Sequence, residues 1–210
     1  MNKRCYISLG STCSVAQQLR NNNLAGGSLP FDWIRTPDFT DILKLIANRF
    51  KDYLTDEMFQ YKMSSDKFVV RSGESEYGSA IYTHKLYNIG FYHDFRADLE
   101  FREQYDMFKL KQQRRIERLY NLLESEDEIV FIRDDLKPHR LTAELVNRFI
   151  EYMSDNYPRL KFKVILIAYN PKGKALGILN YKHPLVTIYN DTEPCADWVR
   201  PNVDWEQIFR

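Results

Sequence analysis

Apolar residues run almost unbroken through 128–133 (EIVFIR) and 162–170 (FKVILIAYN), and again through 4–9 and 184–191. Runs of this length with no polar alternation fit strands buried on both faces, the signature of parallel pairing. Between them the period changes to that of a helix. Leu145, Val146, Phe149, Ile150 and Met153 recur every three to four residues and predict a helix over 141–154. Phe101, Tyr105, Phe108, Ile116, Leu119, Tyr120 and Leu123 predict a longer one over 97–123. Nearer the start, Val15, Ala16 and Leu19 mark a helix from Cys13 to about Arg20 that Thr12 can cap. Phe39, Ile42, Leu43, Ile46 and Phe50 mark another, with Thr36 as its expected N-cap and Pro37 at its first position. Residues 55–95 are rich in Tyr, Phe and Val with only partial alternation, which fits short strands or an irregular aromatic lobe. The expected fold is a single α/β domain over 1–210, with a three-layer, Rossmann-like, mostly parallel sheet and a partly helical lobe inserted over 25–100.

Composition narrows the class. The chain has 210 residues, 44% hydrophobic and 14% aromatic, and Lys+Arg 30 against Asp+Glu 29 leaves a net charge of +1. A folded domain is expected, with no overall field to draw it to nucleic acid or an anionic membrane. Apolar runs are too short for a membrane span, and no signal region opens the chain. Three scattered cysteines, Cys5, Cys13 and Cys195, fit a reduced cytoplasmic setting better than a disulfide framework. No CxxC or HExxH pattern calls for a metal, and no cofactor is expected.

The loops that leave the carboxyl ends of parallel strands share one edge of the sheet, where ligands bind in open α/β folds. On this reading the edge carries Gly10, Ser11, Thr12 and Cys13, then Arg133, Asp134 and Asp135, then Tyr169 and Asn170, then Asn190 and Asp191. Gly10, Ser11, Thr12, Arg133, Asp134, Asn170 and Asp191 are the ligand-binding candidates. Cys13 stands where the first strand turns into a helix. Unpaired N–H groups and the helix dipole favour a thiolate there, and the same N–H groups can hold an oxyanion. A small buried hydrophobe in a tight turn fits the pattern too. A nucleophilic thiol needs a base. His93, among aromatics in GFYHDF, comes first and His84 second; His139 follows the second strand, and His183 precedes the last one. Lys109, Lys111, Arg114, Arg115 and Arg118 crowd the long helix. They fit a solvated face, or a contact to an anionic substrate if that helix borders the cleft. No interleaved aromatics favour nucleic acid. The turn lacks both common phosphate-loop patterns.

ISLGSTCSVAQQLR, followed by SLPFDWI, FYHDF and RRIERLYNLL…EIVFIR, resembles a family catalogued as putative papain-like cysteine peptidases, found in bacteria and large DNA viruses. The resemblance implies Cys13 as nucleophile and His93 as base, with Asp32 of the PFDW segment or Asp94 orienting the imidazole. Papain-like enzymes set their nucleophile helix against an antiparallel, barrel-like sheet, whereas the βαβ pattern here predicts parallel strands. The turn after the first strand is also similar to the nucleophile block of SGNH esterases, without their G-D-S sequence or a D-x-x-H near the end. The leading expectation is a cysteine-dependent hydrolase or acyl transferase acting on a peptide, acyl or glycan substrate. A glycosyl or phosphoryl transferase or ligand-binding domain using the strand-end edge is the second. The third is a non-enzymatic module that docks a partner through the aromatic lobe at 77–95.

Overall fold

The computed structural model describes residues 4–125, 127–195 and 197–210. The elements in chain order are β1 (Arg4–Ser8), α1 (Ser14–Asn21), β2 (Ile34–Arg35), α2 (Phe39–Ala47), β3 (Phe59–Ser72), β4 (Ser75–His84) and β5 (Ile89–Phe91). They continue with α3 (Phe101–Leu123), β6 (Glu128–Asp135), α4 (Ala143–Asn156), β7 (Lys161–Tyr169), β8 (Val186–Asp191) and α5 (Trp205–Phe209). Two sheets form: a parallel one in the order β1-β6-β7-β8, and an antiparallel one in the order β2-β5-β4-β3.

The continuous apolar runs become the parallel strands because both their faces are covered. Ile129 and Phe131 of β6, with Val164 and Leu166 of β7, join a core that includes Ile42 of α2, Leu119 of α3 and Phe149 of α4. The alternate residues Val130, Ile132, Ile165 and Ile167 meet Val15 and Leu19 of α1 and Trp205, Ile208 and Phe209 of α5. The period-2 geometry of a strand thus divides one apolar run between two layers of helices. The strand order climbs without reversal, so the sheet lacks the switch point at which doubly wound folds form their crevice.

The aromatic lobe is a long antiparallel hairpin, β3–β4, extended by β5 and β2, rather than short strands or irregular chain. Alternation is weak in the sequence because β3 is an edge strand and mostly exposed. Its ladder also breaks: Ser65 pairs with Ser79, but Val69 pairs with Gly78, which loops Asp66, Lys67 and Phe68 out of register. The hairpin shares its core with the parallel sheet through α3. Phe108 lies 5.4 Å from Phe59, 5.3 Å from Phe91 and 4.7 Å from Phe95, ring centre to ring centre. Edge-to-face and tilted packing of this kind adds to the burial of each ring.

Several boundaries move from those expected. Cys13, not Thr12, is the N-cap of α1, and the Thr12 hydroxyl accepts the Ser14 N–H at 3.3 Å. Asp38, not Thr36, precedes α2. The Thr36 hydroxyl is engaged elsewhere, accepting from Ser11 N at 2.9 Å and from Arg133 Nη1 at 3.0 Å. α3 starts at Phe101, after Glu103 reaches back to the Glu100 N–H at 2.8 Å. Thr142 caps α4 by accepting from Leu145 N at 3.2 Å. No helix of the described residues is long and apolar enough to cross a membrane.

Candidate active site

β1 delivers the chain to Gly10 and Ser11, both in the left-handed region at φ 70° and 74°. Glycine suits the first of these positions twice over: besides the angle, a Cβ there would stand 2.9 Å from the Thr36 hydroxyl. Ser11 is held in its strained conformation by its N–H to Thr36 and by its hydroxyl, which accepts from Leu136 N at 3.4 Å. The turn then drops Cys13 onto the start of α1 at 6% exposure. Beyond it lies a cavity of about 450 Å³. Thr12, Cys13 and Arg35 line it on one side and Phe68, Val69 and His93 on another, with Tyr169, Cys195, Trp198 and Arg200 completing the wall. The structure therefore brings Cys13 and His93 to one cavity, from β1–α1 and from the chain after β5. A second cavity of about 330 Å³, bounded by Ser11, Thr36 and Lys137, shares Arg35, Tyr92 and Leu136 with the first.

His93 is oriented by main chain. Its Nδ1 lies 2.9 Å from the carbonyl oxygen of Val69, an arrangement in which Nδ1–H donates and Nε2 keeps its lone pair. The ring packs edge-on to Trp33 at 6.2 Å and Phe68 at 6.0 Å. Neither expected aspartate makes that bond. Asp32 accepts the Leu29 N–H at 2.9 Å and fixes the PFDW turn. That turn sets Trp33 against His93 and under the Arg20 guanidinium at 4.3 Å. Asp94 turns to the long helix, 2.5 Å from Lys111 Nζ and 4.0 Å from Arg115. His93 and Asp94, though adjacent in sequence, thus line different cavities.

Burial pushes the Cys13 thiol up to about 12; the charges of Asp94 and Asp32 add to the rise and Arg35 opposes it. In this state the thiol is protonated at neutral pH. The N–H groups of Thr12 and Cys13 make no hydrogen bond to a described residue, so both remain as donors at the start of α1.

None of the other histidines lines the Cys13 cavity. His84 is buried beside Tyr53, Phe59 and Tyr87, with Nε2 3.2 Å from Asp52 O and Nδ1 accepting from Tyr87 N at 3.3 Å. His139 stands in the short turn Pro138–Arg140, and His183 Nδ1 accepts the Leu185 N–H at 3.2 Å.

The strand-end candidates differ from the expectation in place and in partners. Arg133, Asp134 and Asp135 lie inside β6, Tyr169 inside β7, and Asn190 and Asp191 inside β8. Charged residues at the end of an apolar run read as loop, but here they are buried and answer one another. Arg133 holds Asp135 at 2.6 Å, Leu9 O at 2.9 Å and Thr36 O at 3.1 Å. Asp134 accepts from Ser14 Oγ at 2.8 Å and faces Arg200 at 3.3 Å. Desolvation raises the Asp134 carboxyl to about 6 despite Arg200 and the Ser14 hydroxyl. Asp191 pairs with Arg200, and Asn170 ties its own turn by bonds to the N–H and C=O of Lys174, each 2.9 Å. Nothing in the sequence marks Arg200, Val69 or Arg35: none belongs to a motif, and Val69 acts through a carbonyl that every residue has. Cys5, Cys13 and Cys195 form no disulfide. No group of three or more His, Cys, Asp or Glu suited to a metal ion occurs among the described residues.

An α/β protein with a cysteine on a strained turn and a histidine across the same cavity is the class that fold and site define. The chain belongs to the family described as "Putative papain-like cysteine peptidase", whose pattern matches residues 4–172. It is similar to uncharacterized protein R408 of Acanthamoeba polyphaga mimivirus, 34% identical over 221 aligned positions that cover 99% of this chain and 98% of that protein. No solved structure matches the chain.

Proposed function

We propose that the protein is a cysteine-dependent hydrolase or acyl transferase, with Cys13 as nucleophile and His93 as general base. The observation that carries this reading is the shared cavity, into which a buried thiol and an imidazole with one nitrogen already fixed both open. The thiol rests protonated, so activation belongs to the substrate complex rather than to a standing thiolate–imidazolium pair. His93 Nε2 takes the thiol proton as Sγ attacks the acyl carbon, and the carbonyl π pair moves to oxygen. The N–H groups of Thr12 and Cys13 are the donors available to that oxyanion. Collapse breaks the bond to the leaving amine or alcohol, which receives the proton from His93. Water, deprotonated by His93, then cleaves the thioester and restores the thiol; an acceptor amine or alcohol in place of water gives transfer.

Family membership supports the same assignment. The transferase reading loses support because Arg133, Asp134, Asn170 and Asp191 already have protein partners. The docking reading loses support because Tyr87, Phe91 and Phe95 are buried. The test is acyl trapping with p-nitrophenyl acetate, followed by intact-mass and peptide mapping. An acetyl group on Cys13, absent from Cys13→Ser, is the expected result; acetylation elsewhere only would overturn the assignment.

A further inference from the structure

A cavity of about 700 Å³, whose lining does not include Cys13, lies between the far end of the β3–β4 hairpin and the outer face of α3. Six cations line it: Arg71, Arg96, Lys111, Arg114, Arg115 and Arg118. Only two carboxylates, Asp94 and Glu103, share that lining. Glu76 and Asp98, outside the lining, pair with Arg71 and Arg96, and Asp94 pairs with Lys111, so the local excess of positive charge rests on Arg114, Arg115 and Arg118. Lys111, Arg114, Arg115 and Arg118 are spaced i, i+3, i+4 and i+7 on α3, so helix geometry stacks them on one face. Like charges at that spacing destabilise a helix. Asp94 answers Lys111 and lies near Arg115, and the Ser28 carbonyl accepts from Arg118, but no carboxylate among the described residues pairs with Arg114 or Arg118.

Two features mark the cleft as built rather than incidental. Arg115 is only 9% exposed, and its Nη1 has no hydrogen-bond partner; its nearest counter-charge is Asp94 Oδ1, 4.0 Å away. Asp94 Oδ2, in the same lining, is likewise buried without a hydrogen-bond partner, so the wall holds under-satisfied groups of both signs, which is expensive unless further partners are supplied. Arg118, at the opposite margin, is held by the Ser28 carbonyl, and its guanidinium lies so close to Gly27 that a Cβ there would stand 3.2 Å from Nη1. Arg114, also in the lining, donates Nε to Leu110 O at 3.3 Å, and its terminal nitrogens have no partner among the described residues. Leu99 and Met107, both exposed, add an apolar shoulder.

We propose that this cleft binds a phosphate-bearing ligand, with the phosphate on Arg114, Arg115 and Arg118 and an apolar portion against Leu99 and Met107. Guanidinium forks match phosphate oxygens two by two, and a dianion relieves the repulsion along α3. The volume suits a ligand of nucleotide size. A soluble phosphate ester and a phospholipid headgroup share this chemistry. The two cavities draw on adjacent residues of the chain: Val69 and His93 line the Cys13 cavity, Val70 and Asp94 this cleft. The proposal does not depend on the chemistry assigned to Cys13, and Cys13→Ser is expected to bind as the unaltered protein does.

Calorimetric titration with inorganic pyrophosphate, and flotation with phosphatidylcholine vesicles with and without phosphatidylinositol 4-phosphate, test it. Saturable pyrophosphate binding, weakened at least about tenfold by Arg114→Gln with Arg118→Gln and unchanged by Lys109→Gln, supports a soluble phosphate ester. The same variant pattern seen only with phosphoinositide vesicles supports a lipid headgroup. Both arginines are exposed, and an unchanged circular dichroism melt shows that the variant still folds; Arg114→Gln alone serves if the double variant does not. No binding in either arm, or equal loss in Lys109→Gln, overturns the proposal.

Discussion

His93 Nδ1 sits 2.9 Å from the main-chain oxygen of Val69, the first residue to rejoin the ladder after the three that bulge out of β3. The bulge has two effects at once. It turns Lys67 and Phe68 toward the Cys13 cavity, and it aims the next carbonyl at the imidazole. A carbonyl does for this histidine what a carboxylate does in many cysteine enzymes: it fixes the tautomer and leaves Nε2 basic. Unlike a carboxylate, it adds no full charge to stabilise an imidazolium.

The resting thiol is therefore expected to be quiet. With its ionisation pushed up to about 12, Cys13 should alkylate slowly with iodoacetamide at pH 7, and its rate should climb through the alkaline range. Peptide mapping of the alkylated sites against pH measures this. A fast plateau near neutrality would reveal a standing thiolate and an ion pair with His93.

Asp32 links the PFDW turn to a pH-dependent stability. Burial raises its carboxyl to about 6, opposed by the Leu29 N–H and by Arg20, Arg115 and Arg118. The folded protein thus holds this proton more tightly than the unfolded chain, whose Asp ionises near about 3.9. Stability contributed by this group is greatest below that value and is lost as pH rises through about 6. Asp32→Asn keeps an acceptor for Leu29 N–H and removes the titration. Urea unfolding from pH 4 to 7 should show the unaltered protein losing up to about 3 kcal/mol more than the variant.

Arg133 is buried completely, and Asp135 is the carboxylate bonded to it. Asp135→Asn would leave that guanidinium without its counter-charge inside the protein and is expected to cost about 3–5 kcal/mol. The pair also carries Leu9 and Thr36, the two supports of the Cys13 turn. The loss should appear in urea midpoints, with Arg140→Gln, whose partner Asp38 is near the surface, as a control within about 1 kcal/mol.

Phe95 stands where the two sheets share a core, with Tyr82, Phe101 and Phe108 at 4.9, 5.2 and 4.7 Å. Phe95→Ala is expected to cost about 3–5 kcal/mol in chemical unfolding. Loss of the hairpin alone, with the parallel sheet intact by circular dichroism, would show that the two sheets unfold separately.

What the sequence makes legible follows from burial. β6 and β7 are plain because both faces are covered, so polarity never interrupts them; α4 is plain because its stripe is regular. The β3–β4 hairpin is not, since an exposed edge strand with a bulge shows neither alternation nor a hydrophobic run. Arg133, Asp134 and Asp135 read as a loop because buried charge is rare, and only the fold supplies the partners that permit it. Cys13 and His93 could be named from a turn, a helix start and a family resemblance. The partner of His93 could not, because a main-chain carbonyl leaves no trace in side-chain pattern. The basic stripe of α3 was visible as spacing, but whether it faced solvent or a cleft depended on where the hairpin lay.

The most direct test of the Cys13–His93 assignment is the single-turnover rate of Cys13 acylation by p-nitrophenyl acetate, unaltered protein against His93→Gln, across pH 5–9. General-base catalysis by His93 predicts a rate that rises with imidazole deprotonation and falls roughly a hundredfold or more in the variant, with that pH dependence gone. Equal rates and superimposable profiles in the two proteins would contradict it.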